Sequence, residues 1–517
     1  MNIFKLSTQY LKQQRMKKLF TLLFVAMTAI AVHATDYETV VTVTVNDVTT
    51  EQTGLFIITE NDGLYDINLK NFMLQSENGP MGVGNVELKG IKPYQDGDVT
   101  LFFANDQVQI TDGDDPNVSV WMASMLPPVN VQLRGKIEGG LLRCYLDIDL
   151  LEEKGQLIKV GIGDGYQMPN PSFETWHTST GDFVEPNFWH SFESASGGMA
   201  LLAGNHIAMS TDAHSGAASA RIFATSIFGI VANGTMTTGR MNAGSAIATD
   251  PVNNAYLDTS LTDVDGNGEP FYTSLYSRPD SVVAWVKFKQ GTPSSEHPYA
   301  SFSAVITDGT YYQDPEDKAY PNVVAKAQNR EIATTNDEWV RISVPFVYTE
   351  NAVDPKAVLI TVSTNADPGE GSDNDEVLVD DIAFVYNAKL TSLKIKGLEL
   401  PVFGSDETEF SYEFNEAITE DDIEVTVDGR ATHVMKSVEV VDDHYVCAIK
   451  AIGGDMSTMT SYTVNVKSSA TAIRGLKPAA NQPATYFTLD GRQAKTLKPG
   501  RIYISRQADG TVTKIRP

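Results

Sequence analysis

Residues 129–162 read VNVQLRGKIEGGLLRCYLDIDLLEEKGQLIKVGI. Within this stretch VNVQLRGKI, GLLRCYLDI and LIKVGI are alternating or apolar runs set apart by Gly-containing or charged joints. Successive side chains of a strand point to opposite faces, so runs of this kind read as strands and not as a helical stripe. The same rhythm extends back to Tyr37 through YETVVTVTV, GLFIITE, YDINLKNF, VGNVELKGI and DVTLFFA, which makes about eight candidate strands before Gly163. Eight antiparallel strands in up-and-down order can close into a barrel and so remove their exposed edges. Short runs separated by Gly, Asn, Asp and Pro clusters continue to the C-terminus, and the chain as a whole reads as all-β.

At 517 residues the chain is too long for one core, and roughly three or four domains are expected. Its 39 Lys and Arg against 66 Asp and Glu give a net charge of -27, which repels phosphate backbones and anionic lipid surfaces. Nucleic acid is therefore excluded as a partner, while neutral glycans, cations and basic surfaces remain open. The N-terminus carries Lys12, Arg15, Lys17 and Lys18, then an uncharged run from Leu19 to Val32 and small residues around Ala34. That order is a secretory signal peptide over 1–34. The apolar run is too short to cross roughly 30 Å of hydrocarbon, so an integral membrane protein is not expected. Cys144 and Cys447 lie in apolar strand patterns of different domains; pairing is open in an oxidising compartment, and buried free thiols are the expectation.

The segment 35–165 resembles the calycin-like (lipocalin-like) β-barrel domains of secreted Gram-negative bacterial proteins, through its strand rhythm and the phrases NDGLYDINLKNF and VELKGI. The resemblance implies a barrel whose mouth holds a small apolar ligand or whose interior is filled by its own side chains. The segment 166–387 opens with MPNPSFETWH, continues through VEPNFWHSF and AHSGAASARI, and closes with EWVRISVPFVY, AVLITVSTNAD and EVLVDDIAFVY. In that order these phrases resemble the carbohydrate metabolism domain (PCMD) family and, more broadly, jelly-roll carbohydrate-binding modules. A β-sandwich that contacts a glycan or polysaccharide is what this implies. The segment 388–469, with LTSLKIKG, DIEVTVDG and HYVCAIKA, looks like an immunoglobulin-like or cadherin-like sandwich. The segment 470–517 reverses the charge, and its YFTLDGRQ and LKPGRIYIS resemble the C-terminal sorting tails of exported proteins. That implies a cell-surface, outer-membrane or secreted protein whose tail meets the secretion machinery; a short three-stranded module with solvated charges is the alternative.

The jelly-roll resemblance also implies a structural calcium held by Glu174, in PSFETW, and by Asp380 or Asp381, in VDDIAF. Alternation lets only one of the two aspartates face such a site. Sugar binding needs an aromatic face and nearby amides or carboxylates, for which Trp285, Tyr272, Tyr276 and Trp189 are the candidates. Trp285 shares a strand face with Val283 and Lys287 and is expected to be exposed, whereas Trp189 is expected to lean towards the core. The loop DVDGNGE at 263–269 imitates the start of a calcium loop, but its twelfth position is Ser274, so it reads as a polar loop. Glu174, Asp182, Glu185 and Glu193 gather near His177 and His190, which keeps a glycoside hydrolase as the alternative. No GxSxG elbow occurs, and GIGDG at 161–165 lacks the following helix needed to hold a phosphate, so no nucleotide is expected; nor is a haem.

Overall fold

The computed structural model describes residues 33–45, 48–74, 79–151, 156–179, 183–227, 229–351, 353–400, 408–414, 416–442, 444–468, 485–489, 491–506 and 512–517. The segment 1–34, expected to be a signal peptide, lies outside them but for its last two residues, as does Asp182.

The chain is all-β. Its first unit is a nine-stranded antiparallel meander: β1 (His33–Val45), β2 (Val48–Asn61), β3 (Leu64–Leu74), β4 (Met81–Ile91), β5 (Tyr94–Asp96), β6 (Val99–Val108), β7 (Val129–Glu138), β8 (Leu141–Leu151) and β9 (Gln156–Ile162). The order β4-β3-β2-β1-β9-β8-β7-β6-β5 pairs the first strand with the last, Val41 opposite Ile162. The sheet thus curls round from β4 to β5, whose hairpin with β6 is the one element the eight sequence runs do not contain. Period-two alternation sends Val41, Val43, Phe56, Ile58, Ile67, Leu69, Val131, Leu133, Leu146 and Ile148 inward, where they fill the interior. Gly135 sits opposite Phe102 on β6, whose ring takes the space that a Cβ would need.

The second unit is a two-sheet sandwich. One sheet runs Ile207–Ser210, Ser219–Phe223, Glu376–Val385, Ser281–Lys289, Val340–Pro345; the other runs Thr235–Thr237, Ala357–Ser363, Ala300–Thr307, Val323–Ile332, Val347–Tyr348. Neighbours in space are distant in sequence, as jelly-roll crossovers between sheets require. Val282, Ala284, Val286, Phe288, Val377 and Val379 face Phe302, Ala304, Ile306, Val358, Ile360 and Val362 across the core. Each Val, Ile or Phe among them contributes on the order of 1.5–3 kcal/mol by leaving water. A further three-stranded sheet, Arg240–Asn242, Asn254–Leu257 and Tyr312–Asp314, covers part of the outer face of the second sheet through Leu257, Tyr312, Val305 and Leu359.

The third unit packs a three-stranded and a four-stranded sheet around Leu393, Ile395, Cys447, Ile449 and Val464, with one parallel pairing, Glu409–Phe414 against Met459–Ser468. The C-terminal sheet, Thr485–Thr488, Tyr503–Arg506 and Val512–Ile515, places Arg506 near Asp106 of the barrel and Glu439 of the third unit. Both cysteines are free and buried. Among the described residues no helix is long and apolar enough to cross a membrane.

Candidate functional site

The outer face of the second sandwich sheet is polar because alternation turns its hydroxyl residues away from the core. Phe302 and Ala304 point inward, so Ser301 and Ser303 point out; Ile360 and Val362 point inward, so Thr361 and Ser363 point out. Register then aligns them into two rows. Thr235, Ser363 and Ser301 are consecutive cross-strand partners, as are Thr361, Ser303 and Gln328. Neighbouring strands lie about 4.8 Å apart, so each row is a ladder of hydroxyl and amide groups at that spacing. Gln328 Nε2 donates to Ser303 Oγ at 3.3 Å, and Thr235 Oγ1 to Ser363 Oγ at 3.4 Å.

Loops wall this floor into a groove of about 290 Å³. Its rim is apolar: Met199 and Leu202 of a short helical turn, Ile230 and Val231 of a hairpin, Pro315 and Pro368. Arg330 sits at one end, donating to Ala366 O and to Asp367 Oδ1 at 3.1 Å. Three buried atoms of the lining, Asn233 Oδ1, Asn254 Oδ1 and Thr361 Oγ1, have no hydrogen-bond partner. A buried polar atom without a partner costs about 1–3 kcal/mol, a cost that a ligand hydroxyl would remove. Among the described residues the lining holds one carboxylate, Asp314, which burial pushes above the usual carboxylate range against the opposing effect of the Ser303 hydroxyl.

None of the four aromatic candidates lines this groove. Trp189 is fully buried against Phe173, ring centroids 5.2 Å apart, and offers no face to a ligand. Trp285 and Lys287 are on the outward row of the other sheet, as alternation demands, but His214 lies flat over Trp285. Tyr272 packs on the small core beneath the three-stranded sheet and borders a cleft with room for little more than a water. Tyr276 is 39 % exposed and packs on Gly165, in the link between the first two units. The groove carries its own signal in the sequence: Ser and Thr alternate with core residues in ASFSAVIT and AVLITVS.

The three acidic candidates converge on one loop, 212–218. Glu174 Oε1 accepts from Ala217 N at 2.9 Å and Ala218 N at 3.2 Å. Asp380 Oδ2 accepts from His214 N at 2.7 Å and Ser215 N at 3.2 Å. Asp381, with φ of 47°, accepts from Ser215 Oγ at 2.8 Å and meets His214 Nδ1 at 2.6 Å. The positive φ turns Asp381 beside its neighbour, so both aspartates reach the loop where a regular strand would send them to opposite faces. Their oxygens meet N–H and O–H donors; the set acts as a clasp on the loop, which a calcium ion would have to displace. Of the acids weighed for hydrolysis, Glu185 is fully buried and holds Ser191 N, Ser191 Oγ, Ser194 Oγ and Ser179 Oγ. Glu193 is pushed up to about 7 by burial and by Glu185.

The curled nine-stranded sheet has a counterpart among known families. Residues 33–161 match the calycin-like beta-barrel domain. The match ends within β9, so it covers the first unit and nothing beyond it. No curated protein is similar to the chain. Among solved structures, a bifunctional GH43-CE protein of Bacteroides eggerthii aligns over 71 % of this chain and 54 % of its own, at 11 % identity and a TM-score of 0.16. The chain therefore spans about half the length of that protein. At such a TM-score the likeness carries no argument about the sandwich, which rests on its own geometry beside the calycin-like domain.

Proposed function

We propose that the chain is an exported, carbohydrate-associated binding protein whose sandwich holds a glycan in the groove floored by Ser301, Ser303, Gln328, Thr361 and Ser363. The carrying observation is the lining itself, where cross-strand rows of hydroxyl and amide groups adjoin three buried acceptors without partners. Sugars present closely spaced hydroxyls that both donate and accept, and the apolar rim suits the C–H face of a pyranose ring. The volume is that of a small ligand site. The single carboxylate of the lining favours binding over hydrolysis, which uses two carboxyl groups flanking the scissile bond. The resemblance of MPNPSFETWH and EVLVDDIAFVY to jelly-roll carbohydrate-binding modules supports the same reading. In it the calycin-like domain and the third unit position the sandwich at the cell surface, and the basic tail serves in sorting.

The test is a glycan-array and calorimetric binding assay on the chain from Thr35 onward, with Gln328→Ala and Thr361→Val. The expected result is a specific glycan whose affinity falls at least tenfold in both variants while the fold is kept. Binding that neither variant alters would remove the groove from the reading, and no binding across a broad array would favour an adhesin or scaffold.

A further inference from the structure

The loop 263–269 meets two histidines from a distant hairpin. His177 lies on Trp176–Thr178, which pairs with Val184–Pro186, and His190 follows that hairpin. Gly266, with no Cβ, lets the loop rest on the carbonyls of Thr178 and Ser179. Asp265 Oδ1 accepts from Asn267 N at 2.9 Å and Glu269 N at 2.8 Å, which leaves Oδ2 for other partners. It stands 3.4 Å from His190 Nε2 and 3.6 Å from His177 Nε2, with no hydrogen bond to either.

Asp265 Oδ2 and the Nε2 atoms of both histidines are buried without a well-formed hydrogen bond. His177 Nδ1 is 3.2 Å from Asn187 Oδ1, an acceptor, so Nδ1 carries the hydrogen and Nε2 of the neutral ring presents a lone pair. That lone pair faces a carboxylate oxygen. His190 has no partner on either ring nitrogen. The side chains of Asp265 and His190 have no exposed surface and that of His177 has 8 %, so water does not supply the missing partners. A protonated imidazole paired with Asp265 would draw in to about 2.7–2.9 Å, shorter than either distance seen. Ligands around a tetrahedral ion with bonds of about 2.0–2.1 Å stand about 3.3–3.4 Å from one another, close to both.

We propose that His177, Asp265 and Glu269 bind one divalent transition-metal ion, through the His177 Nε2 atom and two carboxylates, with His190 beside Asp265. Ligand atoms of His177, Asp265 and Glu269 lie within 4.8 Å of one another, and His190 approaches from the Asp265 side. The surroundings orient the ligands as an outer shell does: Asn187 on His177, and Asn267 Nδ2 and Phe188 N on the Glu269 carboxylate at 2.7 and 2.6 Å. Imidazole ligands select zinc or a neighbouring metal over calcium. The calcium-loop likeness of DVDGNGE is misleading in the same sense, because Asp263 is engaged by Arg240. The site is closed, with the His190 ring tilted 41° against Phe271 at 4.4 Å, so the ion ties the hairpin to the loop as a structural clasp. None of the four residues lines the groove, and this site stands independently of the glycan reading.

The test strips the chain from Thr35 onward with a chelator, dialyses it against zinc and counts bound metal, with cobalt absorption and zinc X-ray absorption as spectroscopic readouts. The expected result is one equivalent of zinc, a first shell of N and O with imidazole scattering, and affinity at least tenfold weaker in Asp265→Asn and His177→Gln. Folded wild-type protein that takes up no stoichiometric zinc would overturn the proposal, as would zinc retained at full affinity by both variants. Should the variants not fold, the wild-type spectrum decides, since a bound ion without imidazole scattering also overturns it.

Discussion

His214 lies flat on Trp285, their ring centroids 3.7 Å apart and their planes 13° from parallel. Asp381 holds the imidazole through Nδ1, Asp380 holds its backbone N–H, and Trp339 meets it edge-on at 6.2 Å. The best aromatic platform in the sequence is thus closed by a loop that the acidic residues clasp. A stacked pair of this kind is worth about 0.5–1.5 kcal/mol beyond its buried area. Trp285→Ala is therefore expected to lower stability by about 2 kcal/mol in urea titrations. It is also expected to leave glycan affinity in the groove unchanged. A large loss of affinity with stability intact would return the binding site to this face.

Asp380 makes the same clasp sensitive to pH. Burial, followed by the neighbouring charge of Asp381, pushes its carboxyl up to about 7, against three N–H donors that pull the other way. Because the folded value lies above the unfolded value of about 3.9, the native state holds the proton more tightly, and stability falls as pH rises between those two values. Urea midpoints measured across that window are expected to decline for the wild type and to flatten in Asp380→Asn. The variant should also lose about 1–3 kcal/mol, since its amide turns a donor towards N–H groups. Added calcium should leave the profile unmoved; a shift that Glu174→Gln abolishes would install an ion in place of the clasp.

Period-two patterning made the barrel legible, because Val41, Phe56, Leu133 and Ile148 face inward wherever alternation says they should. The convergence of Glu174, Asp380 and Asp381 on one region was legible in part, and the partner was not. A loop contributes backbone N–H groups that no residue type advertises. Ser301, Ser303, Thr361 and Gln328 escaped notice for a different reason. Their function depends on register, and a pairing between strands sixty residues apart is set by the fold and not by either strand alone. His177 is legible as a neighbour of acids and Asp265 only as part of a polar loop, and their meeting needs the crossover that brings residue 265 back to residue 177.

The thiols offer a direct check on the two cores. Cys144 and Cys447 are fully buried in different units, and burial raises both thiols, Cys447 to about 11. Thiolate is the reactive form, so a thiol reagent at neutral pH is expected to label neither cysteine in the folded chain and both in denaturant. Fast labelling of Cys144 alone would mean that the calycin-like domain opens independently of the rest.

Arg143 bears on whether it can. On the outer face of the barrel, Arg143 donates through Nε to Asp455 O and through Nη1 to Gly163 O, each at 2.8 Å, while Arg134 Nε reaches Met456 O at 2.8 Å. Lys136 is buried beside them, its ammonium held below the usual lysine range by desolvation and bonded to Glu138 at 2.8 Å. Three buried cations on a barrel exterior are intelligible only because the third unit covers them and supplies carbonyl acceptors. Arg143→Ala strips partners from Asp455 O and Gly163 O and is expected to cost about 2–3 kcal/mol. Most of that loss should fall on the junction, because neither hydrophobic core contains Arg143. Scanning calorimetry should then resolve the calycin-like domain as a separate, earlier transition, with a larger radius of gyration in solution scattering. A single transition merely shifted downward would show instead that the first and third units are coupled by the sandwich between them and not by these cations.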